Sequence, residues 1–171
     1  LSSTFEQELK NIIVAIDPAV TANKNSDETG IIVVGKDHNN VFYVLEDLSG
    51  KYTPDQWARK AINAFYDWDA DRIVAEVNNG GDLVERLLRS VDTNIPYRSV
   101  HATRGKIVRA EPISALYEQK RVHHLGVFTE LESQMCTYNG ENQESPDRLD
   151  ALVWGLSELN KSSGNINWRI S

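Results

Sequence analysis

The run Asn11-Ile-Ile-Val-Ala-Ile-Asp17 sets five apolar residues in a row, most of them β-branched, and closes them with an acid followed by Pro18. A run this short, continuous and β-branched reads as a strand buried on both of its faces. Such a strand needs further strands at its edges and cover above and below. The chain is therefore expected to fold in layers around a sheet, with Asp17 at a strand end.

The downstream pattern supplies those layers. Thr29-Gly-Ile-Ile-Val-Val-Gly35, a polar turn at Lys36 to Asn40, and Val41-Phe-Tyr-Val-Leu45 read as an antiparallel hairpin. Thr53-Pro54-Asp55 has the cap and first-turn chemistry of a helix start, and Trp57, Ala61, Ala64, Phe65 and Trp68 then recur at helical spacing. Strands follow at Arg72 to Val77 and Tyr97 to His101, with a helix between them marked by Leu83, Val84, Leu87 and Leu88. A helix over about Ile107 to Gln119, a short strand within Arg121 to Leu125 and a helical turn at Leu131 to Met135 come next. The last element starts at Asp147 and carries Leu149, Leu152, Val153, Leu156 and Leu159 on one stripe, to about Asn160. Three antiparallel strands followed by alternating strands and helices predict a mixed α/β sheet with helices on both faces.

Composition narrows the class. At 171 residues, 40% hydrophobic and 25% charged, the chain makes one ordinary globular domain. No apolar stretch is long enough to span a membrane and the start is not a signal peptide, so a cytoplasmic protein is expected. Cys136 is the only cysteine, which excludes an internal disulfide and a thiolate zinc cluster; it reads as a small buried residue. The net charge of −7 argues against a nucleic-acid partner, but the segment Arg98 to His124 carries Arg98, Arg104, Lys106, Arg109, Lys120 and Arg121 against Glu111 and Glu118. One basic face on an acidic protein is the expectation; a merely solvated cationic surface is the plain alternative.

The acids fall where sheets of this kind collect function. Asp17 closes the first strand, Glu76 lies near the end of the fourth, and Asp147 and Asp150, three positions apart, open the last helix on one side. A carboxylate beside an apolar run has to be hydrated, paired or bound to metal, and converging carboxylates repel one another without a divalent ion. An all-oxygen set suits hard Mg²⁺ or Mn²⁺. Taken singly each acid has a structural explanation, Asp17 as a turn former before proline and Asp147 as a helix cap after Ser145-Pro146. Only the set points to chemistry.

At these residues the sequence resembles the C-terminal nuclease domain of the large terminase subunits of tailed phages or prophages. The matching blocks are Ala15-Ile-Asp-Pro-Ala19 with Asp27-Glu-Thr-Gly-Ile31; Ile73-Val-Ala-Glu-Val-Asn-Asn-Gly-Gly-Asp82; Arg104-Gly-Lys106; Ala110-Glu-Pro112; and Ser145-Pro-Asp-Arg-Leu-Asp-Ala-Leu-Val-Trp154. The resemblance implies a ribonuclease H-like fold and a divalent-metal endonuclease that cuts concatemeric double-stranded DNA, with two ions, Mg²⁺ or Mn²⁺. It places Asp17 and Glu76 as metal ligands and leaves the third corner open between Asp147 and Asp150. Lys106 is expected to contact a phosphate or hold a carboxylate, Arg104, Arg109 and Asn78 to bind DNA, and Asn78 with Gly80-Gly81 to shape the turn that presents Glu76 and lets backbone approach DNA; Asp27 is expected behind the ligands. The implied partners are double-stranded DNA, an N-terminal ATPase motor domain, a portal protein and a small terminase subunit, in host cytoplasm at the procapsid portal. Residues 1–10 then read as a linker remnant, 11–160 as the nuclease domain and 161–171 as a flexible tail.

Arg104-Gly-Lys-Ile107 lacks the first glycine and the hydroxyl of a phosphate-binding loop, so no ATPase motif is present in this sequence. The same acids would also suit a junction resolvase or transposase-type nuclease. A non-catalytic DNA- or portal-docking module, and the two-domain sugar kinase and actin-like ATPases, complete the alternatives.

Overall fold

The computed structural model describes residues 8–18, 28–77, 82–101, 106–138 and 147–168, with the side chains at 82, 106–108 and 162–168 outside the description. The order is β1 (Leu9–Asp17), β2 (Gly30–Asp37), β3 (Phe42–Asp47), α1 (Pro54–Asp67), β4 (Arg72–Glu76), α2 (Asp82–Val91), β5 (Tyr97–Val100), α3 (Lys106–Glu118), β6 (Val122–His124), α4 (Thr129–Thr137) and α5 (Asp147–Trp168). The sheet runs β5-β4-β1-β2-β3-β6. β2 pairs antiparallel with β1 on one side and with β3 on the other, and β4, β5 and β6 each join their neighbour in parallel. This is the mixed sheet expected, with the first three strands antiparallel.

β1 occupies the middle and is buried on both sides. Ile12, Val14 and Ile16 join Ile31, Val33, Ile73 and Ala75 in a core covered by α1 and α2. Ile13 and Ala15 join Ile32, Val34 and Val74 in a second core under α3, α4 and α5. Each buried Ile or Val contributes about 1.5–3 kcal/mol, so the five apolar residues of β1 hold its register far more firmly than any turn. Register also fixes the facing of Asp17. A slip by one residue would move Asp17 to the opposite face of the sheet.

Local chemistry sets the remaining boundaries. The β2–β3 turn is closed by the Asp37 carboxylate, which accepts from the backbone N–H of Asn39 and of Val41 at 2.9 Å each, with Asn40 in the left-handed region at φ 61°. Thr53 and Gln56 form a capping box at the start of α1, with Pro54 in the first turn. α5 continues through the weak helix formers Ser162-Ser-Gly-Asn165 to Trp168, past the end expected near Asn160. Propensity there amounts to about 1 kcal/mol for the glycine, and a helix already nucleated on a sheet gains one bond for each added residue. Lys36, 1% exposed, donates from Nζ to the Leu159 carbonyl at 3.0 Å, and burial followed by the charge of Lys10 lowers its pKa.

Cys136 is exposed on α4, contrary to the buried position expected. The buried anchor of that helix is Leu131, with Met135 packed against the core, and one further step rotates position 136 away. Among the described residues no helix is long and apolar enough to cross a membrane.

Candidate metal centre

β1 and β4 run parallel, paired as Ile13 with Arg72, Val14 with Ile73, Ala15 with Val74 and Ile16 with Ala75. One further step sets Asp17 beside Glu76 at the same end of neighbouring strands. Strand periodicity puts both on the side of Ile13, Ala15 and Val74, the side covered by α5. Trp154 of α5 confirms the direction of Glu76, donating from its indole Nε1 to Oε2 at 3.1 Å.

Gly30 brings the start of α5 to the same place. It pairs with Asp17 across β1 and β2, and a Cβ at Gly30 would lie 2.2 Å from the Asp147 carbonyl oxygen and 3.2 Å from the Ala151 Cβ. Only glycine leaves room for that approach. The backbone of Asp147 therefore rests on the strand residue directly across from Asp17. One turn along, Asp150 lines a small cleft with Arg109, Tyr138 and Trp154.

Two arginines flank these acids. Arg148, its side chain 6% exposed, bridges Asp47 at 3.1 Å and Glu130 at 2.6 Å and also pairs with Glu28. Burial alone would lower its pKa, but the hydrogen bond to Glu28 and the charges of Asp47, Glu28 and Glu130 override that and raise it, so Arg148 stays charged. Arg109, on α3, lies with its guanidinium carbon 4.4 Å from the Trp154 ring centroid and its Nη1 3.6 Å from Glu76 Oε1. Both Glu76 oxygens are thus engaged, one by Trp154 and one by Arg109.

Among the described residues no three His, Cys, Asp or Glu side chains stand as a ready metal cluster. The donor set nevertheless suits a hard divalent cation, being wholly carboxylate, and Glu76 already faces a cation inside the fold. Asp17 and Glu76, with Asp147 or Asp150, are the residues that would hold it.

The remaining expected site residues divide sharply. Asp27, Asn78 and Arg104 lie outside the described residues, as does the side chain of Lys106, although its backbone begins α3. Arg109 is turned inward. The described ends of the basic segment do not share one face: Arg98 sits on β5 at one sheet edge and pairs with Glu158 at 3.8 Å, whereas Arg121 precedes β6 at the other edge and donates to the Asn40 carbonyl at 3.0 Å. Proximity along the chain misled here, because β5 and β6 are the two outermost strands.

Three site features were not assigned a role from sequence: Gly30, Arg148 and Trp154. Arg148 had a visible signal, being a charge set between two acids on an otherwise apolar helix. Gly30 and Trp154 act through contacts between distant segments.

The chain matches the family model described as the terminase RNaseH-like domain over residues 14–159. Its fold is similar to crystal structures of the large terminase nuclease from thermophilic phage G20c. One has 17% identity and a TM-score of 0.62, covering 86% of this chain and 81% of that one. The form with bound cobalt has 13% identity and a TM-score of 0.67, and the form with bound zinc 14% and 0.66, each covering 86% of this chain and 80% of that one. No curated protein matches the chain. With the ribonuclease H-like sheet already in place, the match over residues 14–159 settles the family: the chain belongs to the terminase RNaseH-like domain family and is a nuclease domain of the ribonuclease H-like superfamily.

Proposed function

We propose that this domain is a divalent-metal-dependent DNA endonuclease of a viral packaging terminase, cutting concatemeric double-stranded DNA. The observation that carries the reading is the side-by-side placement of Asp17 and Glu76 at one end of parallel strands, under a helix whose first turn bears Asp147 and Asp150. The solved terminase nucleases of similar fold include forms with bound zinc, cobalt and magnesium. Mg²⁺ or Mn²⁺, as a pair of ions, would activate the attacking water and stabilise the leaving oxygen.

The chain's own residues supply the rest. Asp17 and Glu76 form the strand side of the site, and their carboxylates offer hard oxygen donors without a side-chain nucleophile. Asp147 serves the corner nearest Asp17, since its backbone rests on Gly30, and Asp150 the corner nearest Trp154. Trp154 holds Glu76 by a hydrogen bond. Arg104, Lys106 and Asn78 are assigned to the DNA backbone, and Asp27 to support of the ligands. A motor domain, a portal protein and a small terminase subunit are the proposed partners, in host cytoplasm.

The test is nicking of supercoiled plasmid by the purified protein in Mg²⁺ or Mn²⁺. Asp17→Asn and Glu76→Gln should each lower the rate by roughly a hundredfold or more, since loss of an outer-shell partner alone costs about 10–100-fold in such sites. Plasmid left intact by the wild type in both metals, or cut equally by Asp17→Asn, would end the proposal.

A further inference from the structure

The Arg109 guanidinium is poorly provided for. Its side chain is 16% exposed, it faces a Glu76 carboxylate that is 15% exposed, and the 3.6 Å between them exceeds hydrogen-bond length. Its Nε and Nη1 are fully buried and have no hydrogen-bond partner among the described residues. A buried donor without an acceptor is a cost that folded proteins rarely leave standing. What favours the position is charge: the Trp154 ring face on one side, the Glu76 carboxylate on another, and Asp150 lining the same cleft.

A cation so placed faces the one Glu76 oxygen that Trp154 does not engage. We infer that Arg109 is a resident counter-ion of the acidic site, holding Glu76 until a divalent metal displaces it, and so sets how much metal the domain requires. The inference rests on the metal-site reading of Asp17 and Glu76. A guanidinium and a divalent ion on one carboxylate repel each other, so metal binding favours withdrawal of the guanidinium and the guanidinium weakens metal binding. Trp154, hydrogen-bonded to the opposite Glu76 oxygen, keeps the carboxylate aimed into the site throughout the exchange. Arg109 is therefore a positioning residue that acts through Glu76, and it competes with metal.

The experiment is calorimetric titration of the whole protein with Mn²⁺ in the absence of DNA. If the competent, Arg109-withdrawn form is about a tenth of the population, Arg109→Gln should bind Mn²⁺ about tenfold more tightly than wild type, because apparent affinity scales with the competent fraction. Arg109→Lys, which keeps the charge, should stay near wild type, and Asp17→Asn should lose binding. An anchoring role alone predicts the reverse: freeing Glu76 would weaken Mn²⁺ binding in Arg109→Gln. Equal or weaker binding by Arg109→Gln, with Asp17→Asn still abolishing it, overturns the counter-ion and leaves the metal site intact. Indifference of binding to Asp17→Asn overturns both. A measurement on the unmodified protein guards against a misfolded variant: on Mg²⁺ titration, the Arg109 Nε–Hε resonance should move in step with occupancy, and a resonance unmoved at saturation overturns the inference.

Discussion

Arg148 and Arg109 stand on either side of the same acidic helix start, and their environments are opposite. Arg148 is met by three carboxylates drawn from the segment before β2, from the end of β3 and from α4. Among the described residues, Arg109 has one carboxylate beyond hydrogen-bond reach, one aromatic face and two buried nitrogens with no acceptor. A saturated cation belongs to the architecture, because moving it would strand several charges at once. An unsaturated one has little to lose by moving. The contrast teaches that burial alone does not make a charge structural, and that the number and geometry of its partners decide.

The strongest way to break this comparison is to remove the saturated member. Arg148→Met keeps much of the volume but leaves Asp47, 11% exposed, without its partner. Removing one side of a buried ion pair costs about 3–5 kcal/mol; because Glu28 and especially Glu130 can return to water, the lower end, about 3 kcal/mol, is expected. Thermal melts should show a drop of roughly 10 °C for a domain of this size. A drop under about 2 °C would mean that Arg148 is as dispensable as Arg109, and the distinction would fail.

Next comes the seam on which α5 lies. Gly30→Ala places a Cβ against the Asp147 backbone, which has no rotamer to yield with. A shift of the helix start is required, at about 2 kcal/mol for this kind of overpacking. Because the displaced residue is Asp147 itself, Mn²⁺ binding should weaken more than in Gly155→Ala, where the nearest atom is the Val34 side chain at 2.8 Å, in the middle of the helix. Equal metal affinities in the two variants would show that the seam at Gly30 supports the fold and not the site.

Much of this architecture was legible in the sequence because short-range patterns encode it. The β-branched run of β1, the hairpin around Asp37 to Asn40 and the Thr53-Pro54 helix start each depend on neighbours a few residues away. Asp17 and Glu76 were singled out by the same logic, as acids ending apolar runs. What escaped depends on contacts between segments far apart in the chain. The Gly30 approach to Asp147 spans more than a hundred residues, and the Trp154 bond to Glu76 spans 78. Arg109 was expected on a DNA-facing surface because its sequence neighbours are cationic; it turned inward because α3 sets it across from Glu76. Charge counted along a chain does not give charge in space unless the strand order is known.

The finest test uses the unsaturated arginine alone. Arg109→Met removes an ion pair beyond hydrogen-bond length and a cation–π contact, worth about 2 kcal/mol at a largely desolvated site. It also removes two buried donors that lack acceptors, a gain of comparable size. The two nearly cancel, so urea denaturation should place Arg109→Met within about 1 kcal/mol of wild type, with the m-value unchanged. A loss comparable to that of Arg148→Met would show that Glu76 and Trp154 depend on the guanidinium for their own placement, and the two arginines would then be alike. Near-neutral stability combined with tighter Mn²⁺ binding is the outcome expected of an exchangeable cation, whereas near-neutral stability with weaker binding would mean that the guanidinium only anchors Glu76.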